Sequence, residues 1–116
     1  MDTWSVQYYE TANGRCPVQE YLDTLEADEA AKVRFDLDLL ESHGVELGAP
    51  YVRRVRGKLW ELRTTARSQH RLLYFAATGK RLVVVHAFTK KTSKTPPSEI
   101  DTALRRMADY HERVGL

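Results

Sequence analysis

The chain has 116 residues, 42% hydrophobic and 29% charged, with a formal net charge of +2. Those figures set the expectation of one globular domain over residues 1–116, and no apolar run approaches the roughly 20 residues of a membrane-spanning helix. A single cysteine, Cys16, excludes an internal disulfide framework or a multi-thiolate metal site. With no basic-then-apolar leader at the N-terminus, the cytoplasm is the expected compartment.

The charge is unevenly placed. From Arg53 to Lys94 there are twelve Lys/Arg and one acid, Glu61, so this segment carries +11 and the remainder −9. A chain polarised in this way suits a polyanionic partner, which responds to the local field rather than to the net charge.

Trp4, Val6 and Tyr8 alternate with polar neighbours, which predicts a half-buried strand, and Asn13-Gly14 a turn. Pro17 opens a helix whose stripe is Val18, Tyr21, Leu22 and Leu25. Asp28 is a natural cap for a second helix, with Ala30, Val33, Leu37 and Leu40 on one side and Gly44 as its stop. Phe35 and Leu39 lie off that stripe, where they either pack on the first helix or form a patch for a partner. A loop over 44–50 leads to a short strand from Tyr51 to Val55, then strands Leu59–Arg63, His70–Ala77 and Arg81–Phe88. The polar segment Thr64–Gln69 and the turn Thr78-Gly79-Lys80 separate these last three. Leu82–Val85 is too apolar for an edge and predicts a central strand. Thr89–Lys94 reads as a basic, flexible segment. A last helix follows Pro96-Pro97, with Ile100, Ala103, Leu104, Met107 and His111 at helical spacing. The order implies α+β architecture with a mostly antiparallel sheet and segregated helices.

Several chemistries lack the residues they need. The four histidines are scattered without ligand spacing, Gly57 and Gly79 are isolated, and Glu61 has no second carboxylate for glycosidase-type catalysis. What remains is a basic groove. Alternation puts Leu59, Glu61 and Arg63 on one face and Trp60 and Leu62 on the other, and groups Arg71 with Leu73 and Phe75. Arg71 either holds a phosphate through its planar fork or is an edge residue paired with Glu61. Lys90, Lys91 and Lys94 are either a solvated strand end or part of a phosphate clamp with Arg63 and Arg71. His86 lies in an apolar strand as a core or catalytic histidine, and His70 is expected to be exposed.

The ordered set LWELR, HRLLYF and VVVHAFTKKTSKTPPSEIDTALRRMADY resembles the RelE/ParE toxin superfamily, in particular the HigB-like, phage-derived branch of type II toxin–antitoxin toxins. The likeness runs over nearly the whole chain. It implies a compact microbial-RNase-like fold, with a twisted, mostly antiparallel sheet backed by two N-terminal helices, and a C-terminal helix. It also implies cleavage of mRNA, usually on the ribosome, with no metal or other cofactor: the 2′-hydroxyl attacks the adjacent phosphate and leaves a 2′,3′-cyclic phosphate. By position, Arg71 would stabilise charge developing on phosphorus, with Lys90 and Lys91 as phosphate holders or the acid for the leaving group. Arg63 would bind backbone phosphate, Phe88 would stack on a base, and Lys58 and Lys94 would sit at the rim. The general base is unassigned among Glu61, His70, His86 and a lysine of depressed pKa. The implied partners are a cognate antitoxin, commonly a helix-turn-helix protein, together with mRNA and the ribosome. Two further readings stay open: a ParE-like toxin that inhibits DNA gyrase by binding, and a nucleic-acid binder without catalysis.

Overall fold

The computed structural model describes residues 3–115. Its elements are β1 (Ser5–Tyr8), α1 (Pro17–Asp23), α2 (Ala27–His43), a 3-10 turn (Gly44–Glu46), β2 (Val52–Arg56), β3 (Leu59–Thr65), β4 (Gln69–Ala77), β5 (Arg81–Lys90) and α3 (Pro97–Val114). The five strands form one sheet in the order β1-β5-β4-β3-β2. β2 to β5 make an antiparallel meander, and β1 joins β5 in parallel, Val6 against Leu82 and Tyr8 against Val84. β5 is therefore paired on both sides, which is why its Leu82–Val85 run is buried throughout.

The expected segregation of the helices does not hold. α1 and α2 cover one face of the sheet, where Val18, Leu22, Val33, Leu37 and Leu40 pack on Leu62, Leu72, Tyr74, Leu82 and Val84. α3 covers the other face, bringing Ile100 and Ala103 against Leu59, Leu73, Phe75, Val83 and Val85. Each strand of the meander has apolar residues at alternating positions on both faces, so both faces need a cover. No helix among the described residues is long and apolar enough to cross a membrane.

Other boundaries also shift. α2 starts at Ala27 with Glu26 at its N-cap, so Asp28 lies in the first turn, where a carboxylate still complements the helix dipole. Asp28 pairs instead with Arg67 of the β3–β4 turn. β3 runs on to Thr65 and β5 to Lys90. Of the two residues off the α2 stripe, Leu39 packs on the core while Phe35 is 64% exposed, with the Lys32 ammonium 5.7 Å from its ring centre.

Gly44 joins this architecture at one point. It ends α2 at φ +60°, and a Cβ there would lie 2.1 Å from Trp4 Cδ1. The indole beside β1 packs directly on the backbone at the end of α2, which only glycine permits. Gly44→Ala is therefore expected to destabilise the protein by about 1–3 kcal/mol in urea denaturation. Gly48→Ala, whose Cβ meets nothing within 4 Å, should leave the midpoint unchanged.

Candidate nucleic-acid interface

The face covered by α3 is apolar only in part. Towards the end of β3 and the start of β4 it turns polar, and strand register aligns the charges. Arg53 of β2 stands opposite Glu61 of β3, Arg63 opposite Arg71 of β4, Arg71 opposite Phe88 of β5, and Gln69 opposite Lys90. Arg63, Arg71 and Lys90 are thereby brought together by pairing alone, and Arg53 joins them from the outer strand.

Glu61 is the anion at the centre, 0% exposed. Its Oε2 accepts a hydrogen bond from Thr95 Oγ1 at 2.8 Å, which ties the segment after β5 down over the sheet. Its Oε1 lies 3.3 Å from Arg53 Nη2 and 3.8 Å from Arg71 Nε. Glu61 Oε1 and Arg71 Nε are buried with no hydrogen-bond partner, so these two groups act on each other as charges rather than as a bonded pair.

Arg71 is 3% exposed and sits on an interior strand, which removes the reading of an edge residue; its neighbour is nonetheless Glu61. Nη1 donates to the His70 carbonyl and Nη2 to Gln69 Oε1, both at 3.0 Å, so the guanidinium is held in one orientation. Burial pushes its pKa down, Glu61 pulls it back up, and Arg63 and Arg53 push it down again. An arginine stays charged through such shifts. Lys90 is half-buried and its ammonium is also pushed down, first by burial, then by Arg71, with Glu61 opposing and Arg63 and Arg53 adding to the effect.

Beside this cluster is a groove of about 410 Å³ lined by Lys32, Asp36, Pro50, Tyr51, Arg63, Thr65, Gln69 and Arg71. Sequence reasoning passed over Tyr51, Arg53 and Gln69. Arg53 was one of many basic residues, and a tyrosine at the start of a short strand carries no periodic signal.

Of the remaining residues singled out from the sequence, Phe88 adjoins this centre opposite Arg71, and most of the others lie apart from it. Phe88 is 6% exposed and its ring stacks on His86 at 5.6 Å, which leaves it no open face for a base. Lys58 is in the β2–β3 turn, at the opposite end of β3 from Arg63, where it lines an apolar cavity with Val45, Leu47, Trp60 and Tyr74. Lys91 and Lys94 are exposed on the segment between β5 and α3. His70 is 1% exposed, contrary to expectation, and faces α1 and α2. Its Nε2–H donates to Glu29 Oε2 at 2.9 Å, Nδ1 accepts from the Tyr21 hydroxyl at 2.5 Å, and Thr89 Oγ1 is 2.8 Å from that hydroxyl. His86 donates from Nε2 to Glu99 at 2.5 Å and accepts at Nδ1 from Arg106 at 3.1 Å. Burial pushes the His86 pKa down against the opposing pull of Glu99. Among the described residues no three His, Cys, Asp or Glu side chains gather as a metal site requires.

This arrangement, an α+β sheet with a row of fixed cations at one rim, is that of a protein suited to hold an anion. The chain belongs to the phage-derived Gp49-like protein family (DUF891), whose model matches residues 20–108. It is also 28% identical over 116 residues to a protein named "Probable endoribonuclease HigB1" in two strains of Mycobacterium tuberculosis, CDC 1551 / Oshkosh and H37Rv, covering 99% of this chain and 90% of the relative.

The Lys90 shift has a consequence for stability. With a folded pKa below its unfolded value, the unfolded chain binds more protons between the two, so Lys90's contribution to stability improves as pH rises through that window. Below the folded pKa the contribution is constant and unfavourable. Lys90→Met is expected to be more stable than the wild type at pH 7, the gap narrowing towards pH 10, when both are unfolded in urea at each pH.

Proposed function

We propose that this protein is the toxin of a type II toxin–antitoxin pair, a cytoplasmic endoribonuclease that cleaves mRNA on the translating ribosome without a metal and thereby inhibits translation. The observation that carries the reading is the convergence of Arg53, Arg63, Arg71 and Lys90 around buried Glu61, next to an open groove. The name of the HigB1 relative and membership of the Gp49-like family support it. On this reading the fold is RelE-like, and the protein falls in the HigB-like branch of the RelE/ParE superfamily, with a helix-turn-helix antitoxin as partner.

The chemistry follows from the cluster. Attack by the 2′-hydroxyl oxygen forms a bond to the neighbouring phosphorus, and the bond from phosphorus to the 5′-oxygen breaks, leaving a 2′,3′-cyclic phosphate and a free 5′-hydroxyl. Negative charge accumulates on the phosphoryl oxygens, where cations already in place stabilise it without reorganisation. Arg71, oriented by Gln69 and the His70 carbonyl, supplies the nearest fixed charge, and Arg63 holds the backbone. The 2′-hydroxyl proton needs a base. His70 is on the other face, His86 is committed to Glu99 and Arg106, and Glu61 is buried under Thr95. Lys90, set opposite Gln69 beside Arg71 and with its proton affinity lowered by burial and by these cations, takes that role. Lys91 returns a proton to the departing 5′-oxygen, and Lys94 holds phosphate at the rim. The ribosome presents the mRNA in the strained geometry that in-line attack requires.

The test is mapping of 5′ ends in cellular mRNA after brief induction, for wild type, Arg71→Ala and Arg63→Ala at equal expression. Wild type should yield cuts in register with the reading frame, and Arg71→Ala should reduce them by about 10²–10³-fold. Because Arg71 is buried, its thermal melt is measured alongside, and the half-buried Arg63 provides a variant free of that concern. Intact mRNA with arrested growth and a DNA damage response would refute the nuclease and point to gyrase. Cuts without regard to frame would refute the ribosome's part.

A further inference from the structure

Tyr51 stands at the head of β2, and its carbonyl accepts the N–H of Arg63 at 2.8 Å. Its own N–H donates to the Gly48 carbonyl at 3.0 Å, so the residue is anchored on both sides. Its side chain is nevertheless 43% exposed and lines the groove with Arg63, Arg71, Thr65 and Gln69. An anchored backbone under an open phenol ring offers a rigid apolar face. Strands in a sheet lie about 4.8 Å apart, so the line from Tyr51 through Arg63 to Arg71 spans about 10 Å of backbone. The groove's volume of about 410 Å³ lies within the range of small-ligand sites. Gln69 gives its Oε1 to Arg71, which leaves its amide nitrogen to donate, and Thr65 adds a hydroxyl at the same rim. Asp36, the one acid in the lining, is already taken up by Lys32 at 2.9 Å and by Thr64.

We propose that this groove is a single-nucleotide subsite: a base of single-stranded RNA stacks on Tyr51 while its phosphate lies against Arg63 and Arg71. The combination is the one single-stranded nucleic acids use, an aromatic face for the base beside cations for the backbone, with donors at the base edge. It gives the stacking role to Tyr51 and not to the enclosed Phe88. The subsite rests on RNA being the substrate, and its test separates the two claims.

The experiment is fluorescence anisotropy of a labelled single-stranded 2′-O-methyl RNA hexanucleotide, which lacks the attacking hydroxyl and so stays whole. Tyr51→Ala is expected to weaken binding by about 5- to 150-fold, as loss of one stacked base does. Tyr51→Phe keeps the ring and should stay within about twofold of wild type, a spread well below the about tenfold that 1.4 kcal/mol represents. Phe35→Ala removes an exposed aromatic that is outside the groove's lining, its ring beside Lys32 on α2, and should change nothing. If Tyr51→Ala binds as wild type does while Arg63→Ala is weaker, the subsite is wrong and the RNA reading stands. Equal losses in Tyr51→Ala and Phe35→Ala would overturn the subsite as well. So would a Tyr51→Ala protein that keeps its RNA affinity but loses a co-expressed protein partner, since the groove would then belong to that partner. A wild type that fails to bind at low salt would overturn the subsite, while the mapping of mRNA ends decides the nuclease separately.

Discussion

A fully buried carboxylate among arginines is the constraint from which the functional face takes its form. Glu61 has no route to water, so its charge must be answered inside the protein. Arg53 and Arg71 answer it from the strands on either side, and Thr95 from the segment that leads into α3. One side chain therefore links β2, β3, β4 and the approach to the last helix. It also allows Arg53, Arg63, Arg71 and Lys90 to share a small volume that their mutual repulsion would otherwise open. The resulting balance is incomplete by design of its geometry: one anion faces four cations, and the excess is what a phosphate would meet.

The two faces of the sheet handle buried polarity differently. Beneath α1 and α2, Tyr21–His70–Glu29 and Thr64–Asp36–Lys32 are linked by hydrogen bonds and ion pairs that cross between helix and strand. A histidine, two carboxylates and a tyrosine in that proximity have the composition of a catalytic centre, yet their bonding capacity is spent within the protein. Their effect is to fix the helices on the sheet. On the opposite face, Glu61 Oε1 and Arg71 Nε lack hydrogen-bond partners, and the proton affinity of Lys90 is lowered. Unspent capacity, rather than residue type, separates a site from a strut. The same criterion applies to cavities. The one lined by Val45, Leu47, Trp60 and Tyr74 is mostly apolar and far from the cluster, whereas the groove at Tyr51 opens onto Arg63 and Arg71.

Much of this was legible in the sequence because burial has a period. Alternation in LWELR and RLLYF sorted side chains correctly between faces, and the run Leu82–Val85 marked a strand paired on both sides. What was not legible depends on tertiary partners. Thr64, Thr65 and Gln69 looked like a polar turn because hydrophobicity stops before hydrogen bonding does. His70 looked exposed because nothing local announces Glu29 and Tyr21, which are distant in sequence. Asp28 suited a cap by its own propensity and was claimed by Arg67. For Phe88 and Tyr51 the difficulty is shared: an aromatic residue near a strand end is buried or open according to its tertiary surroundings, and Phe88 is 6% exposed where Tyr51 is 43%.

The crowding of cations bears on why such a face would persist. Burial first, then Arg71, Arg63 and Arg53, lower the proton affinity of Lys90 against the opposing pull of Glu61, so the folded state carries a penalty there. An apolar residue at that position would remove the penalty. The penalty is tolerable because β5 is paired on both sides and its buried Leu82–Val85 core is remote from the charged end. Packing at one end of the strand thus supports strain at the other, and the two properties that the cluster needs, rigidity and unsatisfied charge, come from different halves of the same element.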